Sequence, residues 1–293
     1  MKSTELNKSA LSPKWSHVAE TCLLTFYCHA IESQSPDPIL KDDRAVEITG
    51  SITPMLAGSD NKLLRSLYLG RIKPELVVHI ALRAKKYDEY ARDFIARHPD
   101  GIIVNIGCGM DSRFHRIDND RQLFFDLDLP EVIEFKKRFY QENKRYHMLP
   151  SSVFDYKWMD AVSAYGKRPV MFLAEGVFMY LEADKVKALV LELQTRFPGS
   201  ELVCEVVNQR WLSPMMRTML HAKLRQGSKI GESADFHFGL NDGREMETWH
   251  AGIQFLDEWC YFETNHPKLG WLRVFRKSKL FLRTQWTVHY LLG

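Results

Sequence analysis

Short, mostly apolar runs alternate along this chain with longer stretches whose apolar residues recur at helical spacing. That alternation restricts the fold more than any other feature. Ile102–Ile106, Leu123–Asp128, Val170–Ala174 and Glu201–Val207 read as strands, and a further short strand falls near His147–Leu149. Between and before them lie helical patterns. One covers residues 16–35 and is stopped by Ser35-Pro36-Asp37-Pro38. Another starts at Pro74 and carries Leu76, Val77, Ile80, Ala84, Tyr87, Ala91 and Phe94. A third runs from Pro130 to about Asn143, and a fourth carries Val186, Leu189, Val190, Leu193 and Phe197 before Pro198-Gly199. A strand that is apolar on both sides needs cover on both sides, so the pattern predicts a mostly parallel sheet sandwiched by helices. Residues 208–250 break the rhythm and read as an insertion, helical around Met215, Met216, Met219 and Leu220 and loop-like where Gly227, Gly231, Gly239 and Gly243 recur. Gln285–Tyr290 alternates polar and bulky residues, as a closing strand does.

Length and charge narrow the classes. The 293 residues suffice for one enlarged α/β domain. The net charge of +3 carries no clustered basic stripe, which argues against a nucleic-acid partner. The apolar run Val170–Leu181 contains Glu175 and is too short to span a bilayer, and Met1–Trp15 lack the apolar core of a secretory signal. A cytoplasmic protein without a membrane partner is the expectation. The five cysteines include no C-x-x-C pair, and the eleven histidines show no H-E-x-x-H spacing, so neither a disulfide framework nor a metal site is expected.

The strand Ile102–Ile106 runs directly into Gly107-Cys108-Gly109, a turn that only glycine lets a ligand approach closely. Asp126 and Asp128 follow 19 and 21 residues after Gly107, at the tip of the next strand. In doubly wound sheets that spacing sets an acid beside the ribose of a nucleotide-like cofactor. A dinucleotide fingerprint would need a third glycine where Ser112 stands, and Asp111 before it would repel a pyrophosphate. The same acid suits the cationic sulfonium and ammonium of S-adenosylmethionine. A nicotinamide oxidoreductase is therefore disfavoured, and no P-loop motif is present.

Five ordered blocks sharpen this. They are Leu23-Leu24-Thr25-Phe26-Tyr27 leading through Glu32-Ser33 to Pro36-Asp37-Pro38-Ile39-Leu40 and Asp43; Arg83-x-x-x-Tyr87-Asp88; Asn105-Ile106-Gly107-Cys108-Gly109-Met110-Asp111-Ser112-Arg113; Phe125-Asp126-Leu127-Asp128-Leu129-Pro130 with Lys136 or Lys137 behind it; and Ala174-Glu175-Gly176-Val177-Phe178-Met179-Tyr180-Leu181. With these blocks the chain resembles the leucine carboxyl methyltransferase superfamily, especially its bacterial branch of polyketide-synthesis O-methyltransferases. The resemblance implies a class I methyltransferase fold: a Rossmann-like, mostly parallel seven-stranded sheet with helices on both faces, a helical N-terminal extension and a cap insertion. It divides the chain into an extension (1–73), a core (74–207 and 251–293) and a cap (208–250) within one structural domain. The implied cofactor is S-adenosylmethionine. By position, Arg83 would meet its carboxylate, Gly107 would lie under its methionine part with Gly109 also cofactor-binding, Asp128 or Asp126 would meet its ribose, Asp155 and Tyr156 its adenine edge, and Glu175 its ammonium.

Two positions depart from the pattern. Lys157 stands where the leucine carboxyl branch has an arginine for its substrate carboxylate, and His29 where the bacterial branch more often has arginine. A lysine lacks the planar fork of arginine, which weakens the case for a protein C-terminus as acceptor. The expected activity is therefore O-methylation of a hydroxyl or carboxyl on a small aromatic or polyketide-like metabolite. A protein or peptide carboxyl methyltransferase and a catalytically silent cofactor-binding module are the alternatives. Candidate polar groups at the acceptor are Tyr180, His237 and His250. Aromatic residues make up 12% of the chain. Phe94, Phe125, Phe139, Phe172 and Phe197 read as core, whereas Tyr27, Phe178, Tyr180, Trp211, Phe236, Phe238 and Trp249 fall where an acceptor would be enclosed. The acceptor itself and a choice between monomer and homodimer are beyond the sequence.

Overall fold

The computed structural model describes residues 17–212, 236–277 and 282–293, with side chains from Cys22 onward. The described chain divides into two compact units. The first comprises the described part of Met1–Lys85 together with Gly109–His115, and the second Lys86–Cys108 with Arg116–Gly293.

In the first unit, α1 (His17–Ser33), α2 (Asp43–Ile52) and α3 (Lys62–Tyr68) are followed by the opening turns of α4 (Pro74–Arg97). Pro74 stands at the first position of α4, where its missing N–H costs nothing. Asp42 caps α2 by accepting the Ala45 N–H at 3.0 Å, and Asn61 caps α3 by accepting the N–H groups of Leu63 and Leu64.

The second unit holds the sheet. Its elements in chain order are β1 (Ile102–Ile106), α5 (Arg113–Ile117, which begins in the first unit), β2 (Leu123–Asp128), α6 (Pro130–Lys136), β3 (Tyr146–Pro150), α7 (Lys157–Ser163), β4 (Val170–Ala174), α8 (Ala183–Arg196), β5 (Ser200–Asn208), β6 (Gly239–Leu240), β7 (Ile253–Trp259) and β8 (Gln285–Leu292). The order across the sheet is β3-β2-β1-β4-β5-β8-β7, with β6 beside β5. β1 to β5 are parallel, and β8 runs antiparallel to both β5 and β7. The sheet is thus the expected seven strands plus the two-residue β6. Its order reverses between β1 and β4, and ligands of open α/β sheets bind at such a reversal, beyond the carboxyl ends of the strands.

Side-chain alternation assigns the faces. Ile102, Val104, Ile106, Leu123, Phe125, Val170, Phe172, Leu202 and Cys204 form one core with Trp158 and Val162 of α7 and Val186, Leu189 and Leu193 of α8. Ile103, Phe124, Met171 and Val203 on the opposite face are equally buried. Asp126, Asp128 and Glu201 share that second face by alternation, which Lys136 of α6 and Arg97 of α4 cover. The helix expected to reach Asn143 ends at Lys136 and tightens into i→i+3 turns up to Phe139. Phe139 is accordingly half-buried against Phe135 rather than in the core.

Part of the expected cap is sheet instead. β6 continues the parallel register beside Val207 and Asn208, and Phe238, Leu240 and Met246 are buried in the main core. Met215, Met216, Met219, Leu220, Gly227 and Gly231 lie outside the described residues. No disulfide links the five cysteines. Among the described residues no helix is long and apolar enough to cross a membrane, and no group of three acidic, histidine or cysteine side chains is placed to hold a metal ion.

One ion-pair network gives a pH prediction. Glu201 on β5 receives both guanidinium nitrogens of Arg97, at 2.6 and 2.9 Å, and lies 2.9 Å from His289 Nε2 on β8. Burial pushes its carboxyl up, but the bonds from His289 and Arg97 outweigh burial and bring it down to about 2 from the ordinary 4.5. A depressed folded value adds stability that is complete above the unfolded value and disappears as pH falls through the folded one. Urea midpoints should therefore drop between pH 4.5 and 2, and Glu201→Gln should flatten that drop. An unchanged slope in the variant would mean the network does not titrate in this range.

Candidate cofactor site at the sheet reversal

Three adjacent strands of the second unit end together. Gly107 follows β1, Asp128 ends β2 on one side, and Glu175 follows β4 on the other. Neighbouring strands lie about 4.8 Å apart, so the two carboxylate-bearing tips flank the glycine across two strand spacings. Gly107 adopts φ +63°, a left-handed conformation that other residues rarely take. A Cβ there would overlap Val177 Cγ2, and even Cγ1 would be 3.3 Å away. The N–H groups of Gly107 and Cys108 donate to the Leu127 carbonyl at 2.8 and 3.2 Å, which hooks this turn onto the end of β2.

Asp126 and Asp128, alternatives in the sequence, are separated by the structure. Asp126 is buried with its oxygens engaged: Lys136 Nζ at 2.7 Å, the Tyr146 hydroxyl at 2.5 Å and Asn105 Nδ2 at 3.2 Å. These contacts tie Asp126 into the packing of α6 and β3. Asp128 stands one pleat further on, at the tip itself. Its Oδ1 accepts the Leu129 N–H at 2.7 Å, and its carbonyl accepts the Ser151 N–H at 2.9 Å. Asp155 and Tyr156 lie beyond the neighbouring tip, that of β3, in the connection to α7. Asp155 is exposed, and Tyr156 packs partly against the main core. Glu175 is half-buried, and Gly176 behind it is also left-handed, at φ +69°.

The remaining cofactor candidates belong to the first unit. Arg83, on the opening part of α4, is only 8% exposed, which sets aside a solvated helix face. Burial pushes the thiol of its neighbour Cys28 up to about 12, against the pull of the Arg83 charge. Gly109 has φ +50°, and a Cβ on it would sit 2.9 Å from Cys22 Sγ. Its need for glycine is thus met by the packing of α1. Asp111 is not an open acid either: Arg113 Nη1 lies 2.8 Å from it.

The acceptor candidates also divide. The turn Phe178–Tyr180 follows Glu175, and the N–H groups of His237 and Phe238 donate to its Met179 carbonyl at 2.8 and 3.3 Å. Exposed Tyr180 packs on Phe236 with centroids 5.5 Å apart, and His237 Nδ1 is 3.6 Å from Glu182. Trp211 follows β5, and its indole Nε1 is buried with no hydrogen-bond partner among the described residues. His250 is at the wrong end of the sheet. It precedes β7, whose first residue Ile253 pairs with Leu292 at the level of Ser200, the start of β5. Its Nδ1 accepts the Gly252 N–H at 3.0 Å in a local turn. Phe178, Phe238 and Trp249 belong to or pack on the main core, and Tyr27 is buried with its hydroxyl 2.8 Å from Thr53 Oγ1. Tyr180, Phe236 and Trp211 are what remains of the expected aromatic wall.

A family model described as leucine carboxyl methyltransferase matches residues 23–194. The tetracenomycin polyketide synthesis O-methyltransferase TcmP of Streptomyces glaucescens is 29% identical over 248 residues, 84% of this chain and 84% of that protein. The S-adenosyl-L-methionine-dependent methyltransferase dpfgK of Gibberella zeae is 25% identical over 280 residues, 87% of each. The putative S-adenosyl-L-methionine-dependent methyltransferase Rv0893c of Mycobacterium tuberculosis is 26% identical over 274 residues, 87% of this chain and 80% of that protein.

Proposed function

Because the chain belongs to the leucine carboxyl methyltransferase family, we propose that it transfers a methyl group to a hydroxyl or carboxyl oxygen of a small aromatic, polyketide-like molecule. It is an S-adenosylmethionine-dependent methyltransferase. The observation that carries the reading is the pair of carboxylate-bearing tips, Asp128 and Glu175, on either side of the left-handed Gly107 at the sheet reversal. A glycine cradle between two acids suits a cationic, ribose-bearing ligand and disfavours a pyrophosphate. The residues present therefore fit the cofactor.

Each residue has a chemical task in this proposal. Glu175 accepts hydrogen bonds from the ammonium, and Asp128 accepts the ribose hydroxyls through its two oxygens. Gly107 admits the methionine part against bare backbone. Asp155 and Tyr156 meet the adenine edge, and Arg83 pairs with the carboxylate as a planar fork. When bound, S-adenosylmethionine supplies a methyl group on a positively charged sulfonium, which is a good leaving group. The protein then has to align the acceptor oxygen and exclude water. Tyr180 and Phe236, packed on each other after the Glu175 tip, and Trp211 after β5 offer flat apolar surface for an acceptor ring. A carboxylate acceptor needs no base. A phenol of high pKa does, and His237, tied by its backbone N–H to the turn that carries Tyr180, is the candidate base.

Calorimetry tests the cofactor half. Glu175→Gln should weaken S-adenosylmethionine binding about 10- to 100-fold, the worth of a charged hydrogen bond. Equal binding by the variant would remove Glu175 from the site. The acceptor half is tested with methyl-labelled cofactor and a panel of hydroxynaphthoquinones and hydroxynaphthoic acids. A base-stable product marks an ether and a base-labile one an ester. Transfer to none of them, by protein that binds the cofactor, would refute a small aromatic acceptor.

A further inference from the structure

The first unit contains a buried polar cluster that the cofactor reading leaves unused, and residues 29–42 are folded to build it. Glu32 accepts the Ile39 N–H at 2.8 Å and the Ser35 hydroxyl at 3.3 Å. The Ser33 hydroxyl donates to the Leu40 carbonyl at 3.1 Å and accepts the Asp42 N–H at 2.8 Å. These bonds close the Pro36–Pro38 segment into a loop that delivers the Asp42 carboxylate to a fixed place. There Oδ1 accepts the Ala45 N–H at 3.0 Å, Oδ2 lies 3.1 Å from His29 Nδ1, and the Ser112 hydroxyl lies 2.6 Å from both oxygens. His29, Asp42 and Ser112 are 5%, 1% and 1% exposed.

Ser112 occupies the position where a dinucleotide fingerprint has its third glycine, five residues after Gly107. The turn before it contains two left-handed glycines, Gly107 at +63° and Gly109 at +50°. Glycine loses more conformational freedom on ordering than any other residue, and the Leu127 carbonyl holds only the N–H groups of Gly107 and Cys108, so a second anchor at the far end of the turn narrows it further. A ligand's apparent affinity falls by the fraction of protein that is binding-competent. An O–H···O⁻ bond of 2.6 Å is of the short, charge-assisted kind, strong enough to supply the anchor.

We propose that Asp42, held by His29 and the loop before it, clasps Ser112 and thereby sets the glycine turn in the conformation that accepts the cofactor. Asp42, Ser112 and His29 are positioning residues, and the inference rests on the reading of Gly107 as the cofactor cradle. It also gives a purpose to Glu32, Ser33 and the Pro36–Leu40 segment, which belong to the first of the five ordered blocks.

The test is calorimetric titration of the full chain with S-adenosylmethionine, alongside thermal melting. Ser112→Ala should raise Kd at least tenfold, and Ser112→Thr, which keeps the hydroxyl, should stay within threefold of the original. Asp42→Asn keeps the helix cap but weakens the acceptor. It should raise Kd three- to tenfold even if Ser112→Ala fails to fold. Thr49→Val removes another buried hydroxyl of this unit, one bonded only to the carbonyls of Ala45 and Val46. It should lower Tm without moving Kd. Failure of the unaltered protein to bind S-adenosylmethionine would defeat the cofactor reading itself. Binding by the unaltered protein, matched by Ser112→Ala and Asp42→Asn, would defeat the clasp alone. A Kd that rises equally in Thr49→Val would reduce the effect to general destabilisation and overturn the clasp as well.

Discussion

Lys136→Ala is expected to cost about 3–5 kcal/mol of unfolding free energy, the usual penalty for leaving one member of a buried ion pair alone. Lys136 is fully buried, and its Nζ is 2.7 Å from Asp126. Burial pulls the ammonium down, but the Asp126 carboxylate outweighs burial and holds it well above the ordinary 10.5. A raised folded value means that the pair's contribution is complete below the unfolded lysine value and fades only as pH rises through the folded one. The loss should therefore be fully visible in urea melts at neutral pH. Replacing the pair and its tyrosine at once, with Lys136→Met, Asp126→Leu and Tyr146→Phe, should recover part of it, because apolar groups of similar volume remove the desolvation cost along with the pair, while the buried Asn105 amide loses its Asp126 acceptor. A loss below about 1 kcal/mol for Lys136→Ala would show that water reaches Asp126. The same series separates packing from binding. Asp126→Asn should lose stability but still bind S-adenosylmethionine within threefold, whereas Asp128→Ala should lose at least tenfold in binding.

That division between Asp126 and Asp128 marks where the sequence stops being sufficient. Both acids sit two residues apart on one strand, and spacing from Gly107 treats them alike. What distinguishes them is a lysine ten residues on and a tyrosine twenty residues on, which meet Asp126 only after α6 has packed and β3 has paired. β1, β2, β4 and β5 were legible because strands covered on both faces are apolar throughout. β7 was not, because it is the edge strand: Gln254, Leu256 and Asp257 are exposed, and its register shifts between Phe255 and Asp257. β6 is too short to carry any pattern. The end of the sheet at which His250 stands is illegible for a related reason, since it depends on β8 running antiparallel to β5. Asp111 and Arg113 were a missed local signal, two opposite charges two residues apart. The clasp had a partial one. Asp42 and Asp43 both precede an apolar-periodic helix, but only the folded loop shows that the first of them is the cap.

Gly107→Ala is expected to cost stability in two separable parts and to abolish measurable cofactor binding. One part is conformational: at φ +63° a non-glycine residue is worth about 1–2 kcal/mol less. The other is steric, because the new methyl group would overlap Val177 Cγ2, and overpacking of this kind costs about 1–3 kcal/mol. Val177→Ala in the same chain should relieve the second part and leave the first, so the double variant should recover roughly half of the lost stability. Cofactor binding should not recover with it, since the methyl group still occupies the surface against which the methionine part is proposed to lie. Urea unfolding reads the first result and calorimetry the second. Recovery of both together would mean that Gly107 is glycine only to admit Val177, and that the close approach at the sheet reversal belongs to packing rather than to the ligand.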